Sequence, residues 1–170
     1  MIVAQDVMLA LAKRDDERLL SNLLELYSHD SSDFFPLQLN GEGRFGYPDL
    51  PLYWSDEQHR FPFLIRLRQQ PVGFALVTQG SWVTNDPDAF NMAEFFVARR
   101  YRREGVGRHA ANELWRRLAG RWTVRVSEGN RSGFSFWSGI VHERFARGLT
   151  EFSQPGEPYP WRVFAFDTAN

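Results

Sequence analysis

Between Asn91 and Leu118 the chain reads NMAEFFVARRYRREGVGRHAANELWRRL: an apolar run, an arginine-rich stretch with two glycines, and an amphipathic segment. That order predicts a strand, a tight turn and a helix. The spacing of Gly105 and Gly107 lets backbone N–H groups at a helix start approach an anion closely, and the helix dipole adds to the attraction. The stretch is therefore expected to form a phosphate cradle. In the helix, Val106, Ala110, Leu114 and Leu118 fall four apart, with Ala111 and Trp115 widening the stripe, so one face packs on a sheet. Gly120 is expected to end this helix as its C′ residue.

Charge concentrates in the same place. The whole chain has a net charge of -1, which argues against a general polyanion binder, yet nine arginines and only two acids lie between Arg99 and Arg125. Such a cluster attracts anions locally. Because Lys13 is the only lysine, any solvated helix face would also be arginine-rich, and that reading holds equally well for Arg116, Arg117 and Arg121. An RNA-binding use of the cluster would show as steeply salt-dependent affinity; no nucleic acid partner is expected. Cysteine is absent, which removes disulfides and thiol nucleophiles. The opening MIVAQDVMLALAKRDD is apolar only briefly and meets four charges at Lys13–Asp16, unlike a secretory leader. No apolar run approaches the roughly 18 residues of a membrane span. The expectation is a soluble cytoplasmic protein with no membrane partner.

A chain of 170 residues with 43% apolar content suits one compact domain over residues 1–170. Residues 6–12 suit a first strand. Asp15 or Asp16 can cap a helix to about Tyr27, with Leu19, Leu20, Leu23, Leu24 and Tyr27 on its apolar face. Residues 28–61 follow without a clear period but with many aromatics, as in either a binding wall or a surface segment pinned by its rings. Phe61–Leu67 and Val72–Thr78 read as a hairpin around RQQP, Ser81–Phe90 as a polar loop and Met92–Val97 as a third antiparallel strand. Then come a helix at Val106–Ala119, a strand at Thr123–Val126 and a helix from Arg131 to about Arg144. Strands at Leu149–Ser153 and Val163–Asp167 flank a PGEPYP turn. The class is α+β, a meander followed by a βαβ crossover.

GVGRHA at 105–110 also fits the dinucleotide pattern G-x-G-x-x-A, with Glu128 near the expected acid. Such a fold runs its first strand almost directly into the first glycine, whereas ARRYRRE intervenes here. A Walker A loop is excluded, since no Gly-Lys-Ser/Thr follows.

Arg102-Arg103-Glu104-Gly105-Val106-Gly107 resembles the Q/R-x-x-G-x-G/A signature of the GNAT superfamily of acetyl-CoA-dependent N-acetyltransferases. Asn130-Arg131-Ser132-Gly133-Phe134-Ser135-Phe136-Trp137 is similar to its N-x-x-A-x-x-F-Y segment, with Gly133 for the alanine and Trp137 for the tyrosine. EFFV with YRREGVGR is also similar to a branch of uncharacterised bacterial acetyltransferases. The resemblance implies a mostly antiparallel sheet of about six to seven strands flanked by helices, with acetyl-CoA as co-substrate. It places the pyrophosphate among Arg102, Arg103, Glu104, Gly105, Val106, Gly107 and Arg108. The pantetheine would lie along Phe95, Phe96 and Val97, where an amide can also polarise the thioester carbonyl. Asn130 would touch the coenzyme arm, or cap a helix, for which Asn is equally suited. Trp137 would line the same region.

Acetylating an alkylamine of pKa about 10.4 at pH 7 means overcoming roughly 3.4 units, or about 4.6 kcal/mol, to reach the free base. Glu94, three residues before Val97, is the acid that the sequence places near the thioester, and is the candidate general base; it could instead pair with an arginine. Trp137 cannot serve as the acid that the family's tyrosine provides, leaving Tyr27, Tyr101 or water. By analogy the acceptor site draws on Tyr27, Asp30, Tyr47 and Trp54, with His29 and Tyr53 nearby. Aromatic residues with one or two acids suit a cationic amine. The four histidines show no metal-ligand spacing, and no metal is expected. The reading is transfer of acetyl from acetyl-CoA to a primary amine on a small molecule or peptide. The alternative is a non-catalytic acyl-CoA-binding module; a homodimer is compatible with either.

Overall fold

The computed structural model describes residues 6–169, so the first five residues of the leader reading lie outside it. The elements are β1 (Val7–Leu11), α1 (Glu17–Ser31), α2 (Leu52–Ser55), β2 (Arg60–Leu67), β3 (Gln70–Ser81), β4 (Asp86–Val97), α3 (Val106–Arg117), β5 (Arg121–Ser127), α4 (Arg131–Phe145), β6 (Thr150–Gln154) and β7 (Trp161–Asp167). Seven strands follow the order β1-β2-β3-β4-β5-β7-β6, within the expected α+β class. β1 pairs antiparallel with β2, and β7 antiparallel with both β5 and β6. β4 and β5 pair in parallel, from Phe90↔Trp122 to Met92↔Val124, as the expected crossover requires. The chain divides into two compact units, one holding the residues up to Val77 with Glu94–Leu114, the other Thr78–Ala93 with the residues from Trp115 on.

In the first unit, β2 turns into β3 through Arg68 and Gln69, at φ 47° and 75°. Positive φ at both central residues is the mark of a type I′ hairpin. Gln70 and Pro71 therefore belong to β3, not to the spacer expected from RQQP. α1 buries Leu20, Leu23 and Leu24. It runs to Ser31, past the expected end at Tyr27, because the buried residues of its last turn are the small Ser28 and Ser31, which no apolar pattern records. A 3-10 turn at Arg14–Asp16 precedes α1, and the Asp16 carboxylate accepts the Lys13 N–H at 2.9 Å in that turn, with no side-chain cap on α1 itself. β3 crosses the core with Val72–Val77 buried. Gly73 lies so close to the end of β4 that a Cβ there would overlap the Phe96 carbonyl oxygen and sit 3.1 Å from Val97 Cα.

In the second unit, the stretch expected as a polar loop at Ser81–Phe90 is the end of β3, a turn at residues 82–85, and the start of β4. Ser81 joins a polar cluster with three residues outside the stretch. Thr123 Oγ1 lies 3.2 Å from both Ser81 Oγ and Asn91 Oδ1, and Asn91 Nδ2 donates to Thr78 Oγ1 at 3.4 Å. The core gathers Trp115, Phe145 and Phe166, with the last two stacked at 4.5 Å between centroids and Trp115 edge-on to Phe166 at 5.3 Å. α3 ends at Arg117, two residues before the expected Ala119. Gly120 thus lies beyond the C′ position; it stands at φ 141°, a conformation that L side chains rarely adopt, and donates its N–H to Thr168 Oγ1 at 2.9 Å. Among the described residues no helix is long and apolar enough to cross a membrane.

Candidate active site

Alternation along β4 puts Glu94 and Phe96 on one face, the face against which α1 packs. The Tyr27 ring stands edge-on to Phe74 and Phe96, at 5.9 and 6.2 Å between centroids. So anchored, its hydroxyl donates to Glu94 Oε2. The Tyr47 hydroxyl donates to Glu94 Oε1 at 3.0 Å. Each carboxylate oxygen therefore holds one phenol. Burial, and after it the Glu94 charge, raise the Tyr27, Tyr47 and Tyr53 hydroxyls well above the ordinary phenol range. All three stay protonated, and Tyr27 and Tyr47 act as donors toward Glu94.

Tyr47 comes from the irregular segment, and Glu25 on α1 fixes that segment. Its carboxylate accepts the Phe45 N–H at 2.8 Å, the Gly46 N–H at 2.9 Å and Arg44 Nε at 3.3 Å. Burial alone would raise the Glu25 pKa, but the Phe45 and Gly46 amides and Arg44 outweigh it and hold it below the ordinary value. A carboxylate depressed in the folded state contributes stability above its unfolded pKa, about 4.3, and loses it as pH falls through the folded value. Thermal melts between pH 7 and pH 3 are expected to show Glu25→Gln less stable than the parent at pH 7, with the gap narrowing in acid. A gap unchanged at pH 3 would count against the clamp.

After β4, Ala98 N–H donates to Val72 O at 2.8 Å, and a 3-10 turn at Arg99–Tyr101 leads into the glycine turn. Arg102 spans this corner. Its Nε donates to Val97 O at 2.6 Å, its Nη2 to Asp30 Oδ2 at 2.6 Å, and its guanidinium lies over the Phe96 ring at 5.5 Å. Asp30 also takes Arg99 Nε at 3.0 Å. Burial would raise the Asp30 pKa, but the Arg102 and Arg99 bonds overcome it and lower it. Arg103 and Gly105 stand at φ 63° and 82°, which bends the chain so that α3 starts at Val106. The helical ladder opens with His109 N–H to Gly105 O at 3.0 Å, so the amides at Val106–Arg108 precede it. That geometry, with Arg103, Glu104 and Arg108 exposed around it, is one that can receive an anion.

Gly105 has open space around its Cα, so its requirement is conformational. Gly105→Ala is expected to cost about 1–2 kcal/mol, the penalty of left-handed φ for an L residue. It is also expected to reduce any rise in melting temperature on adding acetyl-CoA, which paired melts would measure.

In the second unit, Asn130 caps α4. Its Oδ1 accepts the Gly133 N–H at 2.9 Å, and a Cβ on Gly133 would meet the Asn130 amide carbon at 2.8 Å. Glycine at 133 thus suits the cap. Trp137 is buried, edge-on to Phe136 at 4.9 Å and 6.4 Å from Trp115.

A family profile described as the acetyltransferase (GNAT) family matches residues 22–136, from α1 through Glu94 and the glycine turn into α4. The chain belongs to the GNAT acetyltransferase family. Solved structures agree on the fold. An acetyltransferase from Thermus thermophilus is 18% identical with a TM-score of 0.69, covering 98% of each chain. Spermidine N-acetyltransferase from Vibrio cholerae, in complex with CoA and spermine, is 12% identical with a TM-score of 0.67 and 97% of each chain covered. The ribosomal-protein-S18-alanine N-acetyltransferase from Escherichia coli is 12% identical with a TM-score of 0.61, covering 95% of this chain and 94% of that one. No curated protein matches the chain.

Of the acceptor-side candidates in this GNAT chain, Tyr27 and Tyr47 meet on Glu94, and the buried Tyr53 lies within its field. Asp30 instead ties down Arg99 and Arg102. His29 is exposed. Trp54 directs its Nε1–H to Ala12 O at 3.4 Å, with the Arg14 guanidinium 5.6 Å above its ring. Glu25 and Gly73 escaped the reading of the sequence. The partners of Glu25 lie about 20 positions away, and nothing local marks Gly73 as a point of close approach.

Proposed function

We propose that residues 1–170 act as one N-acetyltransferase domain that transfers an acetyl group from acetyl-CoA to a primary amine of a small molecule or peptide by direct attack. The observation that carries this reading is Glu94, fixed by Tyr27 and Tyr47 on the strand that leads into the glycine turn. Acetyl-CoA, when bound, supplies an activated acetyl thioester. The amides of Val106, Gly107 and Arg108 would hold its pyrophosphate, and Phe95–Val97 its pantetheine. β4 continues through Ala93–Val97 after its last register pair with β5, at Met92, which supports that role. Glu94 takes the acceptor's proton, so that the amine reaches the reaction as its free base. In the second unit Asn130 caps α4, and Trp137 contributes packing, not acid. A spermidine N-acetyltransferase among the neighbours supports an amine as acceptor.

The test is to incubate the protein with acetyl-CoA and spermidine, free lysine or an N-terminal peptide, following free thiol. Release above background with at least one amine is expected. Acetyl-CoA is also expected to stabilise the fold, by about 2.7 kcal/mol at a hundred times its dissociation constant. Binding without release across a broad panel would favour an acyl-CoA-binding module instead.

A further inference from the structure

A groove of about 610 Å³ runs along the start of α1, walled by Glu17, Arg18, Ser21, Asn22, Arg44 and Tyr47 among others. Of the two phenols on Glu94, Tyr47 lines this groove, whereas the Tyr27 ring is packed between Phe74 and Phe96. Glu94 is not part of the groove wall. Tyr47 therefore joins the groove to the carboxylate, its hydroxyl 3.0 Å from Glu94 Oε1.

We propose that Tyr47 is the group through which Glu94 takes the proton of an acceptor amine bound in this groove. The proposal rests on the acetyltransferase reading and adds a catalytic residue to it. The acceptor's ammonium N–H breaks, and its proton passes to the Tyr47 oxygen as that phenol's own proton passes to Glu94 Oε1. The amine keeps the electron pair it needs for attack. Tyr47 ends protonated, as it began, and Glu94 ends as the neutral acid, which returns the proton to solvent before the next turnover. Burial and the nearby negative charge disfavour a free phenolate, so the two transfers occur together. The Glu25 clamp on Phe45 and Gly46 holds the hydroxyl in place for them.

Two protons moving together leave a mark that mere positioning of Glu94 does not. With the fastest amine of the panel, the wild-type rate in mixtures of H₂O and D₂O is expected to curve with deuterium content, and Tyr47→Phe to give a straight line. Tyr47→Phe is also expected to slow turnover about 100-fold, in the range of one acid–base group. The loss should shrink as pH approaches the amine's own pKa, and adding Tyr47→Phe to Glu94→Gln should cost little more, as for groups acting in series. A straight wild-type line, or a Tyr47→Phe rate within twofold of wild type, would overturn the relay and leave the acetyltransferase reading standing. Absence of thiol release from every amine would overturn both.

Discussion

Glu94→Gln is expected to slow acetyl transfer about 10²–10⁴-fold while the protein keeps its fold. An alkylamine must shed its proton before it can attack, and a positioned base contributes that order of rate, equivalent to about 3–5 kcal/mol of barrier. The amide is nearly isosteric. Its carbonyl still accepts one tyrosine hydroxyl, and its NH₂ can donate to the oxygen of the other, so the Tyr27 and Tyr47 anchors survive. Two measurements decide the matter: thiol release at pH 7 with the fastest amine, and a thermal melt. A large drop in rate with a melting temperature near that of the parent is the expected pair. Full activity in Glu94→Gln would remove the carboxylate from the chemistry and reduce its tyrosine bonds to packing.

Gly73→Ala is expected to lose about 3 kcal/mol of stability, the upper part of the usual cost of overpacking. One methyl group is enough because what it strikes is backbone. The Phe96 carbonyl oxygen would overlap it, and the Phe96 carbonyl carbon and Val97 Cα would each lie 3.1 Å away. A side chain could rotate aside, but here β3 and β4 must separate. For a chain of this length that corresponds to a fall of about 6–12 °C in melting temperature. The same displacement would move the strand end assigned to the pantetheine, so acetyl-CoA should stabilise the variant less than the parent. A loss below about 1 kcal/mol would show that the strands can part at little cost.

These two residues mark what the chain's letters reveal and what they hide. Glu94 could be singled out because the role proposed for it depends on its distance from Val97 and the glycines, which are neighbours along one strand and turn. The α3 stripe and the glycine turn were legible for the same reason. The support of Glu94 was not, since Tyr27 and Tyr47 come from 67 and 47 positions away and their spacing encodes nothing. Asp30 looked like a partner for a cationic amine, but two arginines of the chain's own turn take both its oxygens. The turn at Arg68 and Gln69 was read two residues too long, through Pro71, because neither residue belongs to the glycine and asparagine set that usually announces positive φ. The outer half of β4 was hidden by its own Asp86, Pro87 and Asp88, residues that a pattern reader takes for a loop.

Trp54 has a consequence for anyone who follows this protein by light. Of the six tryptophans, it is the one in the first compact unit; the others, at 82, 115, 122, 137 and 161, belong to the second. Its indole lies under Arg14, which also borders the groove beside Tyr47. Indole emission responds to a cation at its face, so an acceptor that draws Arg14 away would change the fluorescence of that single ring. The chain thus carries an intrinsic optical reporter beside the groove that Tyr47 lines, readable without a label and without turnover.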